Sequence, residues 1–536
     1  MGILDDGIIS RFRRNDIPLM EMSGEGGGMR WLARLLAFLR QASGTDGERE
    51  KPGTAGVPAR RADAESLKRA FQNIHDAECV EIENDRLGKA TLLYIRSLID
   101  IRQLQEFVIA PLQNASGADL RDTIHAAHLT EMDSPEQAET AAFKGAVIVL
   151  AGGRLWSISL ASSLSRAVEP SKQEAVIHGP QDSFTEQVEN NLTLIRRRLA
   201  ASSLKSERFL VGGLSHTTVI LLYVESLTNP ELVRIAREKT AAVRSDAIFD
   251  SSHLSQFMED HIHSVFPQFQ QTDRPDAAAA ALASGKVVWL VENTPFALIA
   301  PITFFDLFQS PEDYIHRWPV ASFLRGVRFF AFLFAMFLIP FYVAITMHHY
   351  QMVPLDLLFV VLESRSEIPF NPFWEALFMM LVLEILKEAS LRMPSKSGQT
   401  LGIVGGIVIG QAGVEANIAS NLLIIHVAVT AIASFLIPNY LMTNSSKLIQ
   451  FGLLLLAAWL GLWGITLGLI LVLIHLNGLT SLKQPYFAPL SPFYGADWKD
   501  TIVRLPLKRM SRRPAYLKPA NPWRFGAGSG RPERKG

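Results

Sequence analysis

Residues 451–475 read FGLLLLAAWLGLWGITLGLILVLIH, a run without Asp, Glu, Lys or Arg. About 20 helical residues cross roughly 30 Å of hydrocarbon, so this run alone is long enough to span a bilayer. Working outward, 418–442 (IASNLLIIHVAVTAIASFLIPNYLM) is equally uncharged, and 327–346 carries only Arg328, at its edge. A fourth apolar stretch, 373–388, is weaker because Glu375, Glu384, Lys387 and Glu388 lie in or near it. The division along the chain is sharp. Positions 327–475 hold 13 charged residues in 149, about 9%, against 91 in the other 387, about 24%. Such a chain reads as a membrane protein with a large aqueous portion. Lys+Arg and Asp+Glu balance at 52 each, which argues against binding nucleic acid through net charge. The single cysteine, Cys79, excludes an internal disulfide framework and a multi-Cys zinc site.

Loop charges suggest the orientation. The segment 497–536 carries a net +8, 347–372 a net −2 and 389–400 a net +2, which places the first and last inside and the acidic loop outside. The remaining apolar stretch, 401–415, reaches only about 22 Å as a helix, too short for an ordinary crossing. Four crossings with 401–415 short or re-entrant put both ends on the cytoplasmic side. The first 326 residues show no cleavable signal pattern and fit a cytoplasmic domain.

That domain contains a repeat. TLLYIRSL (91–98) and ILLYVESL (220–227) match at an offset of 129 through Leu92, Leu93, Tyr94, Ser97 and Leu98. A second pair follows in order, GAVIVLAGGRLWSISL from Gly145 and GKVVWLVENTPFALIA from Gly285; each is a glycine, an apolar strand, a turn and another strand. The expected fold class is α+β: two similar αβ subdomains, then an α-helical transmembrane bundle of four spans plus a short membrane-embedded helix. The expected divisions are 1–69, a variable extension, largely disordered apart from a basic amphipathic helix near MRWLARLLAFLRQ; 70–175 and 176–320, the two subdomains; 321–480, the helical domain; and 481–536, a basic cytoplasmic tail.

Nothing in this pattern asks for catalysis. His261 and His263 are two apart and His348 and His349 adjacent, not the i, i+4 spacing that puts two imidazoles on one helix face, and there is no P-loop or strand-borne GxGxxG. No catalytic residue, metal or cofactor is expected. Arg196-Arg197-Arg198 reads as a solvated helix end rather than an anion site. The acids Glu375, Glu384, Glu388 and Glu415 should face a bundle interior, a partner or water, although 373–388 could also lie at the interface with its acids wet. Along 401–416, Gly402, Gly406 and Gly410 recur every four residues with Gly413 extending their face, a helix-packing pattern. Val404, Val408, Gln411 and Glu415 fall on the opposite face. A ring of such helices would make a pore with an apolar collar and a polar mouth; packing inside one bundle is the other reading.

The stretch HGPQDSFTEQVENNLTLIRRRL (178–199) resembles the signature of the A subunits of spore germinant receptors, the GerA family, through Gly179, Pro180, Phe184, Glu186, Asn190, Arg196 and Arg198. Further blocks match in order: 273–301, SRSEIPF (364–370), EILKEASLRMP (384–394), GIVGGIVIGQAGVEANIAS (402–420) and QPYFAPLSP (484–492). The resemblance runs from about residue 70 to 520. Asn293 and Lys483 depart from it, standing where the family often has turn residues such as glycine. The resemblance implies a non-enzymatic subunit of a nutrient sensor in the spore inner membrane. Its implied partners are a transporter-like B subunit, a lipoprotein C subunit, further copies of itself and membrane lipids. It also implies a ligand-gated cation channel; a SpoVAF-type accessory channel subunit and a non-conducting scaffold remain alternatives.

Overall fold

The computed structural model describes residues 67, 71–84, 88–114, 120–124, 129–162, 174, 179–393, 405–406 and 408–525. The amphipathic helix expected near 29–41, and the candidates Gly402 and Val404, lie outside them.

Two five-stranded antiparallel sheets form the first part. Strands β1 (Ala77–Asn84), β2 (Gly88–Ile95), β3 (Leu129–Met132), β4 (Ala146–Ala151) and β5 (Arg154–Ser159) lie in the order β1-β2-β4-β5-β3. Strands β6 (Leu204–Val211), β7 (Thr217–Val224), β8 (Gln270–Thr272), β9 (Val287–Val291) and β10 (Ala297–Ala300) lie in the order β6-β7-β9-β10-β8. The two orders are the same. Each sheet also places a helix between its third and fourth strands in sequence: α1 (Pro135–Ala142) in the first, and α4 (Pro275–Ser284) in the second, which also contains α2 (Val188–Arg198) before β6 and α3 (Pro230–Ala242) after β7.

Apolar runs form the central strands because both faces are covered. Leu92, Tyr94, Val147 and Val149 enter one core of the first sheet, while Leu93, Ile95 and Ile148 enter the core on its other face. In the second sheet Val219, Leu221 and Tyr223 alternate with Ile220, Leu222 and Val224 in the same way. The repeat is visible atom by atom. Tyr94 donates to Glu78 at 2.5 Å, and Tyr223 donates to Glu207 at 2.6 Å. Each pair joins the second strand of a sheet to its first.

The two departures from the family pattern fall where the backbone is left-handed. Asn293 has φ +65° in the β9–β10 turn and Lys483 has φ +61° in the turn before Gln484. Glycine is the easiest residue there, and asparagine tolerates the conformation better than lysine does. The turn at Lys483 has compensation: its backbone N–H donates to Asp260 at 2.8 Å.

The helical region differs from expectation in where its helices end. Helix α5 (Trp318–His348) contains the expected first span, and α6 (Pro372–Arg392) turns the weak stretch into a full helix. Asn371 starts α6 by accepting from the Trp374 N–H, with Pro372 in the first turn. Neither 418–442 nor 451–475 is one helix. Helix α7 (Asn421–Phe435) stops before Pro438, and α8 (Tyr440–Leu460) starts at the Asn439 cap, which accepts from the Met442 N–H. Helix α9 (Leu462–Gly478) then follows a single residue, Gly461, at φ +61°.

Glycines close that hairpin. A Cβ on Gly464 would lie 2.0 Å from the Leu456 carbonyl oxygen, and one on Gly468 would lie 2.4 Å from Leu453 Cδ2. The opening 25-residue run is therefore two antiparallel arms. By length and hydropathy, Trp318–His348 and Tyr440–Leu460 are long and apolar enough to cross a membrane, and Asn421–Phe435 and Leu462–Gly478 are shorter apolar helices.

Nor is 481–536 a detached tail. Through residue 525 it folds onto the second subdomain: Ser481 Oγ donates to the Gln268 carbonyl (2.6 Å), Tyr486 Oη to that of Pro267 (2.8 Å), and Ala520 N to that of Leu227 (2.9 Å).

Candidate functional site

Contacts give each helix a direction. Near the start of α5, Arg325 and Arg328 bind Asp313 beside the second subdomain, at 3.0 and 2.6 Å. At its far end His348 bonds the Ala458 carbonyl at 2.8 Å. Helix α6 comes back, from Glu375 beside Tyr342 to Lys387, whose Nζ donates to Ser434 Oγ at 2.8 Å. A short helix, described at 405–406 and 408–415, leaves again. Gly405 sits against Leu386, and just beyond the helix Asn417 donates to Glu367 at 3.0 Å. Helix α7 returns from Ser420 to Ser434, α8 leaves from Ser445, which donates to the Val265 carbonyl, and α9 returns to place His475 3.0 Å from Ser264. These six helical segments thus alternate in direction, with the helix Leu355–Glu363 lying between the first two in sequence.

The four acids expected in this region are held in different ways. Glu375 is 1% exposed; it forms a 2.5 Å pair with Arg365 and accepts the Ser420 N–H at 2.6 Å. Arg365 also reaches Tyr342 Oη at 3.4 Å, so one buried carboxylate joins α5, the loop before α6, and the start of α7. Glu384 pairs with Lys447, bringing α6 and α8 together. Glu388 pairs with Arg392 on an exposed face of α6. Glu415 is exposed and accepts from Gln411 at 2.9 Å.

The short helix presents an open face. Val408 is 56% exposed, and Gln411 and Glu415 are exposed on the same side. Gly413 is buried, whereas Gly406 is exposed and Gly410 partly so. A Cβ added at Gly406, Gly410 or Gly413 would meet no atom within 4 Å. The glycine that does approach a neighbour is Gly405, whose added Cβ would lie 2.9 Å from Leu386 Cδ1. Within one chain the helix carries its apolar and polar residues outward, with an amide and a carboxylate at one end.

The 178–199 motif does structural work. Arg196 is fully buried, not at a solvated helix end: it binds Asp76 through Nε at 2.9 Å and Nη2 at 2.5 Å, and Nη2 also reaches Ser206 Oγ at 3.0 Å. Burial alone would raise the Asp76 carboxyl, but the Arg196 charge and hydrogen bonds from Arg196 and Ser97 outweigh it and hold the group below the usual carboxylate range. Arg198 clamps Asp182 at 2.6 and 2.5 Å. Phe184 is buried and its N–H donates to the Asp273 carbonyl; the Glu186 carbonyl accepts from Asn293 N; Asn190 bonds Gln187 at 2.7 Å. The Pro180 carbonyl accepts from Arg274 at 2.9 Å, and Gly179 has φ +114° with Ile315 against it. Asp76, Ser206, Arg365 and Lys447 complete these networks, and sequence reasoning named none of them as a partner. Asp76 and Lys447 stand 120 and 63 residues from their counterparts, and Ser206 and Arg365 ten from theirs, a separation with no fixed local geometry to signal the pair.

These motifs and this architecture define a family. The model of the Bacillus/Clostridium GerA spore germination proteins matches residues 65–516, and the chain belongs to that family. Spore germination protein GerQA of Bacillus cereus is 36% identical over 468 residues, covering 86% of this chain and 93% of that protein. Spore germination protein B1 of Bacillus subtilis (strain 168) is 33% identical over 444 residues, covering 81% and 92%. The crystal structure of the N-terminal domain of the A subunit of the Bacillus megaterium spore germinant receptor GerK3 aligns with 45% of this chain and 93% of that one, at 23% identity and a TM-score of 0.34.

Proposed function

We infer that this chain is an A-type subunit of a spore germinant receptor, integral to the spore inner membrane, whose copies assemble around the short helix 405–415 to form a gated cation channel. The observation that carries this reading is the open face of that helix. Val408, Gln411 and Glu415 point away from their own chain, as pore-lining residues do in a subunit whose pore is completed by its neighbours. Val404, one turn earlier, extends the collar, and Gly402, Gly406, Gly410 and Gly413 receive a neighbouring helix. A transporter-like B subunit and a lipoprotein C subunit are the proposed partners in nutrient sensing, with no enzymatic step in this chain.

Reconstituted receptor tests it through ion flux. Val408→Ala should wet an apolar collar and raise nutrient-independent cation flux, and Glu415→Gln should lower cation preference without loss of assembly. Unchanged flux in both assembled variants would leave a non-conducting scaffold as the better reading. Nutrient response without a B subunit would favour a SpoVAF-type accessory channel.

The alternating segments support six passes through the helical bundle, with 405–415 too short for an ordinary bilayer crossing, and the second subdomain and residues 497–525 on one cytoplasmic side. Trp463→Cys, in a chain with Cys79 replaced, should react with an impermeant thiol reagent from outside, because Gly461 is a far-side turn. Protection there, with the protein folded, would restore 451–475 as a single crossing.

A further inference from the structure

A cavity of about 380 Å³ lies where the folded C-terminal segment meets the second subdomain. Lys286, Lys499, Arg509, Arg512, Arg513 and Arg524 line it together with three carboxylates, Asp306, Asp497 and Asp500, leaving three positive charges in excess. The carboxylates are already engaged. Asp306 pairs with Lys286 at 2.6 Å, Asp497 accepts the N–H groups of Ala515 and Tyr516, and Asp500 binds Arg325 at 3.0 Å and Tyr314 Oη at 2.8 Å.

The arginines are satisfied differently. Arg513 donates to the carbonyls of Ala283, Asn521 and Trp523, and Arg512 lies over the Trp523 ring at 4.4 Å. Arg524 donates to Ser284 Oγ at 3.1 Å, while its Nε is buried and has no hydrogen-bond partner. Burial, and then the neighbouring Arg524 charge, lower the pKa of Arg513. Asp500, already held by Arg325 and Tyr314, feels the Arg524 charge, and the two neighbouring half-buried guanidiniums still favour a further anion between them.

We propose that this cavity binds a phosphate ester, with Arg513, through Nη2, and Arg524 as its ligands and Arg509 and Arg512 at its rim. Guanidinium N–H groups make charge-assisted bonds to phosphate oxygens, and a doubly charged anion answers a pair of cations better than a carboxylate does. The volume exceeds that of bare phosphate, so the phosphate should carry an organic group. The ligand is either a lipid whose headgroup is a phosphomonoester or a small soluble phosphomonoester.

Full-length protein in nanodiscs separates the two sources. In pure phosphatidylcholine, titration with sn-glycerol 3-phosphate at constant ionic strength should raise the melting temperature if the ligand is soluble. In nanodiscs containing phosphatidic acid, whose headgroup is a phosphomonoester, native mass spectrometry should find the anionic lipid retained if the ligand is a headgroup. Arg524→Gln should weaken whichever binding is seen by roughly tenfold or more, the scale of one lost charge-assisted contact. Arg512→Gln, exposed at the rim, keeps the fold and should weaken it by a smaller factor, which decides the matter if Arg524→Gln does not fold. Absence of both kinds of binding, or equal binding by wild type and the folded variants, overturns the proposal.

Discussion

The interface between the two sheets and the short helix 405–415 are opposite solutions to handling polar groups. At the first, Arg196 and Asp76 are both buried and meet in a two-pronged pair supported by Ser97 and Ser206. One donor there, Arg196 Nη1, is buried without a hydrogen-bond partner; the carboxylate and the other donors of the pair are answered from within the chain. At the second, Gln411 and Glu415 bond each other on an exposed face, and Gly406 and Gly410 leave room that nothing in the same chain fills. A surface closed by its own residues is what a stable domain needs, and a surface left open calls for a neighbour. The contrast separates a region that its own chain closes from a face that its own chain leaves open.

The largest effect should come from opening the closed region. Arg196→Ala leaves the Asp76 carboxylate buried without its partner, and breaking such a pair costs about 3–5 kcal/mol. Thermal unfolding of the first two subdomains should shift down strongly, with amides of β1 and β6 losing hydrogen-exchange protection first, because the Ser206 carbonyl accepts the N–H of His75 beside the same pair. If Arg196→Ala unfolds like wild type, the interface is not held by this pair and the contrast fails.

A paired glycine experiment sharpens the comparison within the helical region. Gly464→Ala forces a methyl against the Leu456 carbonyl, where the backbone cannot yield cheaply, and overpacking of this kind costs roughly 1–3 kcal/mol. The isolated subunit should lose thermal stability. Gly406→Ala meets no atom within 4 Å, so the isolated subunit should unfold like wild type while its self-association weakens. Equal effects of the two substitutions on the single chain would mean that the short helix is already packed, and an open face could not be claimed.

How much of this was legible in the sequence follows the same line. The repeat was, because Tyr94 and Tyr223 sit in apolar strands whose order of residues survived, and their glutamate partners keep the spacing too: 223 − 94 and 207 − 78 are both 129. The apolar character of 418–475 was legible, but its folding was not. A left-handed glycine between Leu460 and Leu462 looks like any other glycine in an apolar run, and only the approach of Gly464 to Leu456 shows that the chain reverses. The faces of 405–415 could be drawn at 100° per residue. Which face is open depends on Leu386 lying against Gly405, a contact between residues 19 apart along the chain. Arg196 was misplaced for a related reason: three successive arginines suggest solvent, and the carboxylate that buries the first is supplied from 120 residues away.

The smallest effect concerns a group in the closed region that is not fully closed. Glu259, at the end of the helix Ser251–Met258, is half-buried, and burial raises its pKa to about 7, partly offset by Lys239. A carboxyl that holds its proton more tightly folded than unfolded favours the folded state at low pH. That advantage falls as pH rises from about 4.5, the unfolded value, to about 7, and is constant above it. Neighbouring Asp260 has the opposite sign. Burial would raise it, but Lys239, the Lys483 N–H and Thr480 together lower it, so its stabilising contribution is lost only as pH falls below the ordinary aspartate range. The two windows do not overlap. Glu259→Gln, which keeps the shape and removes the titration, should therefore flatten the decline in hydrogen-exchange stability of β7 and β9 between pH 5 and pH 7 while leaving any loss below pH 4 in place. Solvent screening of the half-exposed carboxyl keeps the change small. A decline that persists unaltered in Glu259→Gln would mean that Glu259 is ionised across this range, and that the second subdomain is sealed less tightly here than its geometry indicates.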